Sequence, residues 1–328
     1  MDLVQSFIEK ARANPAVIVF PEGHDPRIVE AAARVAELGI NRPIVLGDPE
    51  AVAAVAAGRG VSLKGVRVQS SRDEAAVARY AEVYAASRGM RTAIAEKLVR
   101  KPLAFGGMMV RMGDADGMVG GVDNATASVI QAAALTVGFR EGFSTPSSFF
   151  IMIVPEFLGE KDKPFIFADC AVNISPSARQ LAEIAVASGT NAKALLGLDP
   201  RIAFLSFSTK GSAAHADVDK VTEALRIAQG MNSGFEMDGE LQADAAIVPR
   251  VAAKKVKQSA VAGRANVLVF PDLDAGNMAY KLVQHLGGAK ALGPIMQGFA
   301  KPVNDMSRGA TVDDLVAVAA ITAVQARG

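Results

Sequence analysis

The chain has 328 residues, 35 basic against 34 acidic side chains, half of its residues apolar, one cysteine and no tryptophan. A net charge of +1 gives no general field for nucleic acid or anionic lipid, so any anionic ligand must be held by local groups. The lone Cys170 excludes an internal disulfide and a multi-cysteine metal site, and His24, His215 and His285 lack the spacing of a metal-binding pair; no metal is expected.

The first stretch, MDLVQSFIEKARANP, mixes charge into every turn, which predicts an amphipathic helix of the mature protein and not a signal peptide. No apolar run approaches the ~18 to 20 residues of a membrane span, so the expected location is the cytoplasm, away from membranes. A length above what one core usually fills predicts two domains. Short β-branched runs then alternate with alanine-rich segments of helical period: AVIVF before PRIVEAAARVAEL, PIVLG before PEAVAAVAAG, VRVQ before DEAAVARYAEVYAAS. This repetition predicts an α/β fold with a mainly parallel sheet covered by helices on both faces.

PEGHDPR, residues 21–27, follows the first strand and places His24, Asp25 and Arg27 at that sheet's ligand-binding edge, although Asp25 before Pro26 also reads as a helix cap. In MGDADGMVGGVDNATASVIQAAAL, residues 112–135, Gly117, Gly120 and Gly121 separate an expected carboxylate-bearing turn from a helix starting near Asn124. They permit either a phosphate-cradling turn or close backbone packing, and they do not match a dinucleotide fingerprint. The texture changes at FREGFSTPSSFF, after which FFIMIVP, PFIFADCAV, RIAFLSFS, AAIVP and NVLVF read as strands of a second α/β unit over about residues 144–298.

Within that unit, Ser206, Ser208, Thr209, Lys210, Gly211 and Ser212 follow a buried strand, and hydroxyls, a lysine and backbone N–H groups at such an edge suit an anion. An ordinary polar loop is the other reading. Glu236, Asp238 and Glu240 come together before AAIVP; with no second cluster to complete a ligand set they read as a solvated loop. KPVNDMSRGATVDDLVAVAAITA, residues 301–323, ends the series with two readings. Thr311 and Asp314 form a capping box entered through Gly309, or Ser307, Arg308 and Asp314 form a reaction centre at a helix start.

Taken in order, KPLAFGGMMVRMGDADGMVGG, TPSSFFIMIVP, FADCAVN, FLSFSTKGSA, DGELQADAA, the long stretch from NVLVFPDLDAGNMAY to VNDMSRG, and the terminal helix resemble the phosphate acetyl/butyryltransferase family nearly end to end. The resemblance implies two α/β/α domains similar to those of isocitrate dehydrogenases, with an active-site cleft between them. The first would be residues 1–143 joined by 299–328, and the second, 144–298, a dimerisation domain of a homodimer. It implies reversible transfer of an acetyl group between CoA and inorganic phosphate, with CoA thioester and phosphate as substrates and no resident cofactor. A propionyl or butyryl preference, or a non-catalytic acetyl-CoA-binding module, are the alternatives. Carried over residue by residue, Ser307 and Arg308 are the family's serine–arginine pair and Asp314 its aspartate, with Asn304, Arg88 and residues 206–212 on the substrate side. The chain departs from the family at Gln131, where an arginine is expected; Arg88, Arg91, Arg111 and Arg140 lie near enough in sequence to stand in.

Cys170, after a strand in FADCAVN, invites an acylated thiol, yet no histidine is adjacent in sequence to activate it, so direct transfer in a ternary complex is expected.

Overall fold

The computed structural model describes residues 3–327. Two compact units emerge: residues up to Glu141 together with those from Phe299 onward, and Gly142–Gly298. The strands of the described residues are β1 Val17–Phe20, β2 Arg42–Leu46, β3 Arg67–Gln69, β4 Gly117–Gly120, β5 Ser147–Phe157, β6 Glu160–Ala168, β7 Arg201–Leu205, β8 Glu236–Leu241, β9 Val267–Val269, β10 Lys290–Gln297 and β11 Val303–Asp305.

The first unit carries a five-stranded sheet in the order β11-β4-β1-β2-β3, every pair of it parallel. All five strands therefore end on one edge, and the segments that leave β1, β4 and β11 are brought together there. Both faces of the sheet are covered. Ile18 and Gly117 face the final helix, Val312–Gln325: a Cβ added at Gly117 would stand 2.7 Å from Thr322 Cγ2 and 3.3 Å from Ile18 Cδ1. Val19 and Met118, one residue on, face the helix Pro102–Met112, where a Cβ at Gly106 would meet Met118 Sδ at 2.9 Å and Val19 Cγ1 at 3.6 Å. Period-two alternation thus buries successive residues under different helices.

The final helix belongs to this unit. It buries Leu315, Val316, Ala319, Ala320 and Ile321, and Asn41 Nδ2 donates to Ala319 O at 2.9 Å.

The second unit holds a six-stranded sheet in the order β10-β5-β6-β9-β7-β8. Strands β6, β9, β7 and β8 run parallel, while β5 pairs antiparallel with both β6 and β10. The antiparallel pair follows from its connection: only Leu158 and Gly159 join β5 to β6, both at positive φ (52° and 82°), which is the geometry of a tight hairpin turn.

Two expectations need correction. The acidic stretch Glu236–Leu241 is no solvated loop; it is the edge strand β8, with Glu240 buried. AAIVP is no strand, because Ala245 and Ala246 lie in the short helix Ala243–Ile247 that packs into the apolar core of this unit. Alanine favours the helix, and Pro249 opens the next one at its first position. Gly117–Gly120 is a buried strand, and of the two readings of its glycines close packing is the one seen, since a Cβ at Gly120 would meet Pro21 Cγ at 2.9 Å.

The close approach of β4 and the final helix yields a stability prediction. Gly117→Ala places a methyl against Thr322 Cγ2 and should destabilise by about 1 to 3 kcal/mol. Thr322→Ser removes that methyl and keeps the hydroxyl, so urea melts should find Gly117→Ala less damaging in the serine background; an equal cost in both backgrounds would refute the contact.

Candidate active site at the carboxyl edge of the first sheet

Glu22, two residues beyond β1, is buried, and four donors surround its carboxylate. Oε2 accepts from the N–H groups of Gly121 at 2.8 Å and Val122 at 3.1 Å; Oε1 accepts from Asp123 N at 3.0 Å and Asn124 Nδ2 at 2.6 Å. The glycine turn that reads as a phosphate cradle is therefore an anion nest, and its anion is the chain's own carboxylate. Gly121 is required in two ways: its φ is 108°, and a Cβ would stand 2.2 Å from Asp305 Oδ1.

Asp25 caps the helix Pro26–Glu37 by accepting from Arg27 N at 2.8 Å, with Pro26 at the first helical position. The Arg27 guanidinium pairs with both Asp25 oxygens, through Nε to Oδ1 at 3.1 Å and Nη2 to Oδ2 at 2.7 Å, and this hydrogen bond holds the Asp25 carboxyl below the usual carboxylate range. Arg27 then reaches across the sheet edge. Nη1 donates to Arg308 O at 2.7 Å and Ala310 O at 3.1 Å, and Nη2 to Val122 O at 3.1 Å.

The turn so held exposes Ser307, Arg308 and Gly309 directly after β11. Ser307 Oγ accepts from Gly309 N at 3.2 Å, and this leaves its own proton free to be donated. The Arg308 guanidinium is exposed and forms no ion pair among the described residues. Thr311 caps the final helix in a full capping box: Asp314 N donates to Thr311 Oγ1 at 3.2 Å, while Thr311 N and Oγ1 donate to Asp314 Oδ2 at 2.9 and 2.8 Å. Both contacts fall on Oδ2. Asp314 is exposed, and among the described residues no donor reaches Oδ1. Its neighbour Asp313 pairs instead with Arg34.

Other sequence-predicted residues lie elsewhere. Asn304, read as a substrate ligand, is fully buried on β11 and donates to Thr322 Oγ1 and Gln325 Oε1, both at 2.8 Å; it ties the strand to the final helix. Arg88 donates to the carbonyls of Ala134 and Leu135, and Arg111 to that of Thr136, so both satisfy the end of the helix Thr126–Thr136. In the second unit, the loop after β7 also holds an internal anion. Glu240 Oε1 accepts from Ser208 Oγ at 2.8 Å and Gly211 N at 2.7 Å, and Lys210 donates to Asp238 and to Gly239 O. Ser208 and Thr209 are buried there; Ser206 Oγ and Ser212 Oγ accept from the loop's own N–H groups. Cys170 is fully buried, and burial, with the Asp169 charge, pushes its thiol well up, away from the thiolate that a nucleophile needs.

Two features were not anticipated from sequence. One is a cavity of about 520 Å³ wholly within the first unit, where Glu22, His24, Asp123 and Asn124 meet Lys101, Ser128, Gln131 and the apolar side chains of Leu98, Leu103 and Leu135. The other is Asp305, buried at the end of β11. Thr126 Oγ1 donates to its Oδ2 at 2.6 Å, Oδ1 is buried without a partner among the described residues, and burial raises its pKa to about 6.

Because the folded state holds this proton more tightly than the unfolded one, stability linked to Asp305 is fully present below the ordinary carboxyl range and falls as pH rises to about 6. The loss is at most about 3 kcal/mol. Asp305→Asn should therefore gain on the natural protein between pH 4.5 and pH 7.5 in thermal melts; a difference that does not change with pH would show that Asp305 ionises normally.

The family model described as "Phosphate acetyl/butaryl transferase" matches residues 2–323. A phosphate acetyltransferase of Thermoanaerobacterium thermosaccharolyticum is 46% identical, with 100% of both chains covered, and one of Bacillus subtilis is 40% identical, with 99% of each covered. A phosphotransacetylase structure from Streptococcus pyogenes superposes with a TM-score of 0.92 at 43% identity, covering 99% of this chain and 98% of the other. A 4-hydroxythreonine-4-phosphate dehydrogenase from Burkholderia phymatum, at TM-score 0.53 and 13% identity, shares the fold alone. A match to the family model over nearly the whole chain, with end-to-end relatives at this identity, settles the assignment: the chain belongs to the phosphate acetyl/butyryltransferase family.

Proposed function

We propose that the chain is a phosphate acetyltransferase, converting acetyl-CoA and inorganic phosphate reversibly to acetyl phosphate and CoA, with CoA a substrate and not a resident cofactor. One observation carries the reading: between Ser307 and Asp314 an exposed turn offers a hydroxyl, an unpaired guanidinium and a fixed carboxylate, in a chain whose full-length relatives are phosphate acetyltransferases. In the direction that makes acetyl-CoA, Asp314 takes the thiol proton through Oδ1 and the thiolate attacks the acetyl carbon. A free thiol, with a pKa near 8.5, is mostly protonated at neutral pH, so this transfer raises the attacking fraction. The Ser307 hydroxyl donates to the oxyanion of the tetrahedral intermediate, a contact of a kind worth roughly 3 to 4 kcal/mol. As the C–O bond breaks, phosphate leaves with its charge held by the planar fork of Arg308. The buried, poorly ionised Cys170 supports direct transfer without an acyl-enzyme.

The test is a thioester-absorbance assay with acetyl phosphate and CoA. Wild-type protein should form acetyl-CoA, and Asp314→Asn should lower kcat by roughly 10²- to 10⁴-fold at neutral pH with little loss of stability. The deficit should narrow as pH approaches ~8.5, where solvent supplies the thiolate. A small difference, constant with pH, would leave Asp314 only its cap.

We further propose a cytoplasmic homodimer joined through the second unit. On the helix Leu273–His285 and its C-cap Leu286, the apolar side chains Met278, Leu282 and Leu286 recur at helical spacing with 58%, 56% and 82% exposure, a stripe that a partner copy would cover. Light scattering should give twice the chain mass for wild type and a monomer for Leu282→Glu/Leu286→Glu. A double variant that stays dimeric would place the interface elsewhere.

A further inference from the structure

We propose that Arg27 is the positioning residue of the Ser307–Arg308 turn, acting through backbone carbonyls and not on substrate; the inference rests on the reading of that turn as the site of acyl transfer. Arg27 and Arg308 are 281 residues apart in sequence, yet the Arg27 guanidinium is the crosspiece between three segments at the sheet edge. It holds the turn at Arg308 O and Ala310 O, the glycine nest at Val122 O, and its own helix cap at Asp25. Nη1, Nη2 and Nε all donate to the protein, so this guanidinium is committed before any ligand arrives. Arg308 shows the opposite arrangement: its carbonyl is held while its own guanidinium is free of ion pairs among the described residues.

The arrangement suits a turn that has to present two side chains in one geometry without a packed core above it. Ser307, Arg308 and Gly309 are exposed, so apolar burial does not fix their path. Local bonds close the turn on itself, Gly309 N and Ala310 N donating to Ser307, and its flanks are held by the buried Met306, whose N–H donates to Gly120 O at 2.7 Å, and by the buried Ala310. Between those flanks Arg27 Nη1 holds the carbonyls of Arg308 and Ala310, and Asp25 fixes the guanidinium by pairing with its other nitrogens. A lysine would keep the charge and lose the fork. Misplacing reacting groups by about 1 Å costs on the order of 10²-fold in rate, which sets the scale of the effect.

The experiment measures kcat and both KM values for wild type, Arg27→Ala, Arg27→Lys, Arg308→Ala and Arg27→Ala/Arg308→Ala, well below each melting temperature. Arg27→Ala should lower kcat by roughly 10- to 100-fold with KM for CoA and phosphate within about threefold of wild type, and Arg27→Lys should recover only part of the loss. In the Arg308→Ala background the same change should cost less than it does in wild type, because one of the two groups it positions is gone and only Ser307 remains to be misplaced. Multiplicative effects of the two substitutions, or a raised phosphate KM at unchanged kcat, would mean that Arg27 acts independently or on the ligand and would overturn the proposal. A lower melting temperature with unchanged kinetics would make Arg27 a purely structural brace. Wild-type kinetics for Arg308→Ala would remove the site reading itself, and with it anything for Arg27 to position.

Discussion

The carboxyl edge of the first sheet is organised by one buried charge. Glu22 leaves water on its way into the fold, and an unpaired carboxylate there would cost many kcal/mol. The chain offsets this by aiming three successive N–H groups and one amide at it, all from the turn that follows β4. The β1 and β4 loops are thereby locked to each other, and Val122 O, in the same turn, becomes a fixed anchor for Arg27. The hold on the Ser307–Arg308 turn is thus the last link of a chain of polar contacts that starts at a glutamate two residues beyond the first strand. The second unit repeats the device twice: Asp169 accepts from the N–H groups of Ala171, Val172 and Asn173, and Glu240 sits in the loop after β7.

This device explains why loops that read as phosphate sites are not open ones. Converging N–H groups and hydroxyls bind anions whatever their source, and a carboxylate delivered by a neighbouring strand arrives at no cost in translational entropy. The guanidinium proposed above for the anion chemistry is one that forms no ion pair among the described residues. Of the arginines near the edge, Arg27 is spent on Asp25 and three carbonyls, Arg88 and Arg111 on the end of a helix, and Arg34 on Asp313. Arg308 is held by its carbonyl and presents its side chain outward.

What the sequence makes legible is what is local. The β-α repetition, the Asp25–Pro26 cap and the Thr311–Asp314 capping box depend on residues a few positions apart, and each stands in the structure as its pattern indicates. The antiparallel hairpin at Leu158–Gly159 is less visible, because a two-residue turn says nothing of the sheet it joins. Misreadings came where the deciding partner is distant. Asn304 looks like a ligand beside Ser307 until the final helix returns Thr322 and Gln325 to it. Glu240 looks solvated until Ser208 arrives from another strand, and Arg27 shows no tie to Arg308 across 281 positions. Periodicity reports which face of an element is buried; it does not report which polar atoms meet once the faces are packed.

The capping box at Asp314 is compatible with the proposed catalytic role. A capping box usually argues against function, since it gives the carboxylate a structural task. Here the task occupies Oδ2 alone, which takes both Thr311 donors, and no donor among the described residues reaches Oδ1. The cap fixes the orientation of the carboxyl plane, so under the proposed mechanism Oδ1 would meet an incoming thiol already aligned, without the ordering cost of a free side chain. The same first turn of the helix continues into Leu315 and Val316, both buried, so the Asp314 carboxylate stands on a turn that packing also holds. Ser307 follows the same logic, as the Gly309 N–H occupies a lone pair of Oγ and leaves its proton to be donated. In both residues one atom is committed to holding the turn while its counterpart meets no partner among the described residues, so the hydrogen bonds that read as ordinary helix and turn closure would also preorganise the groups proposed to react.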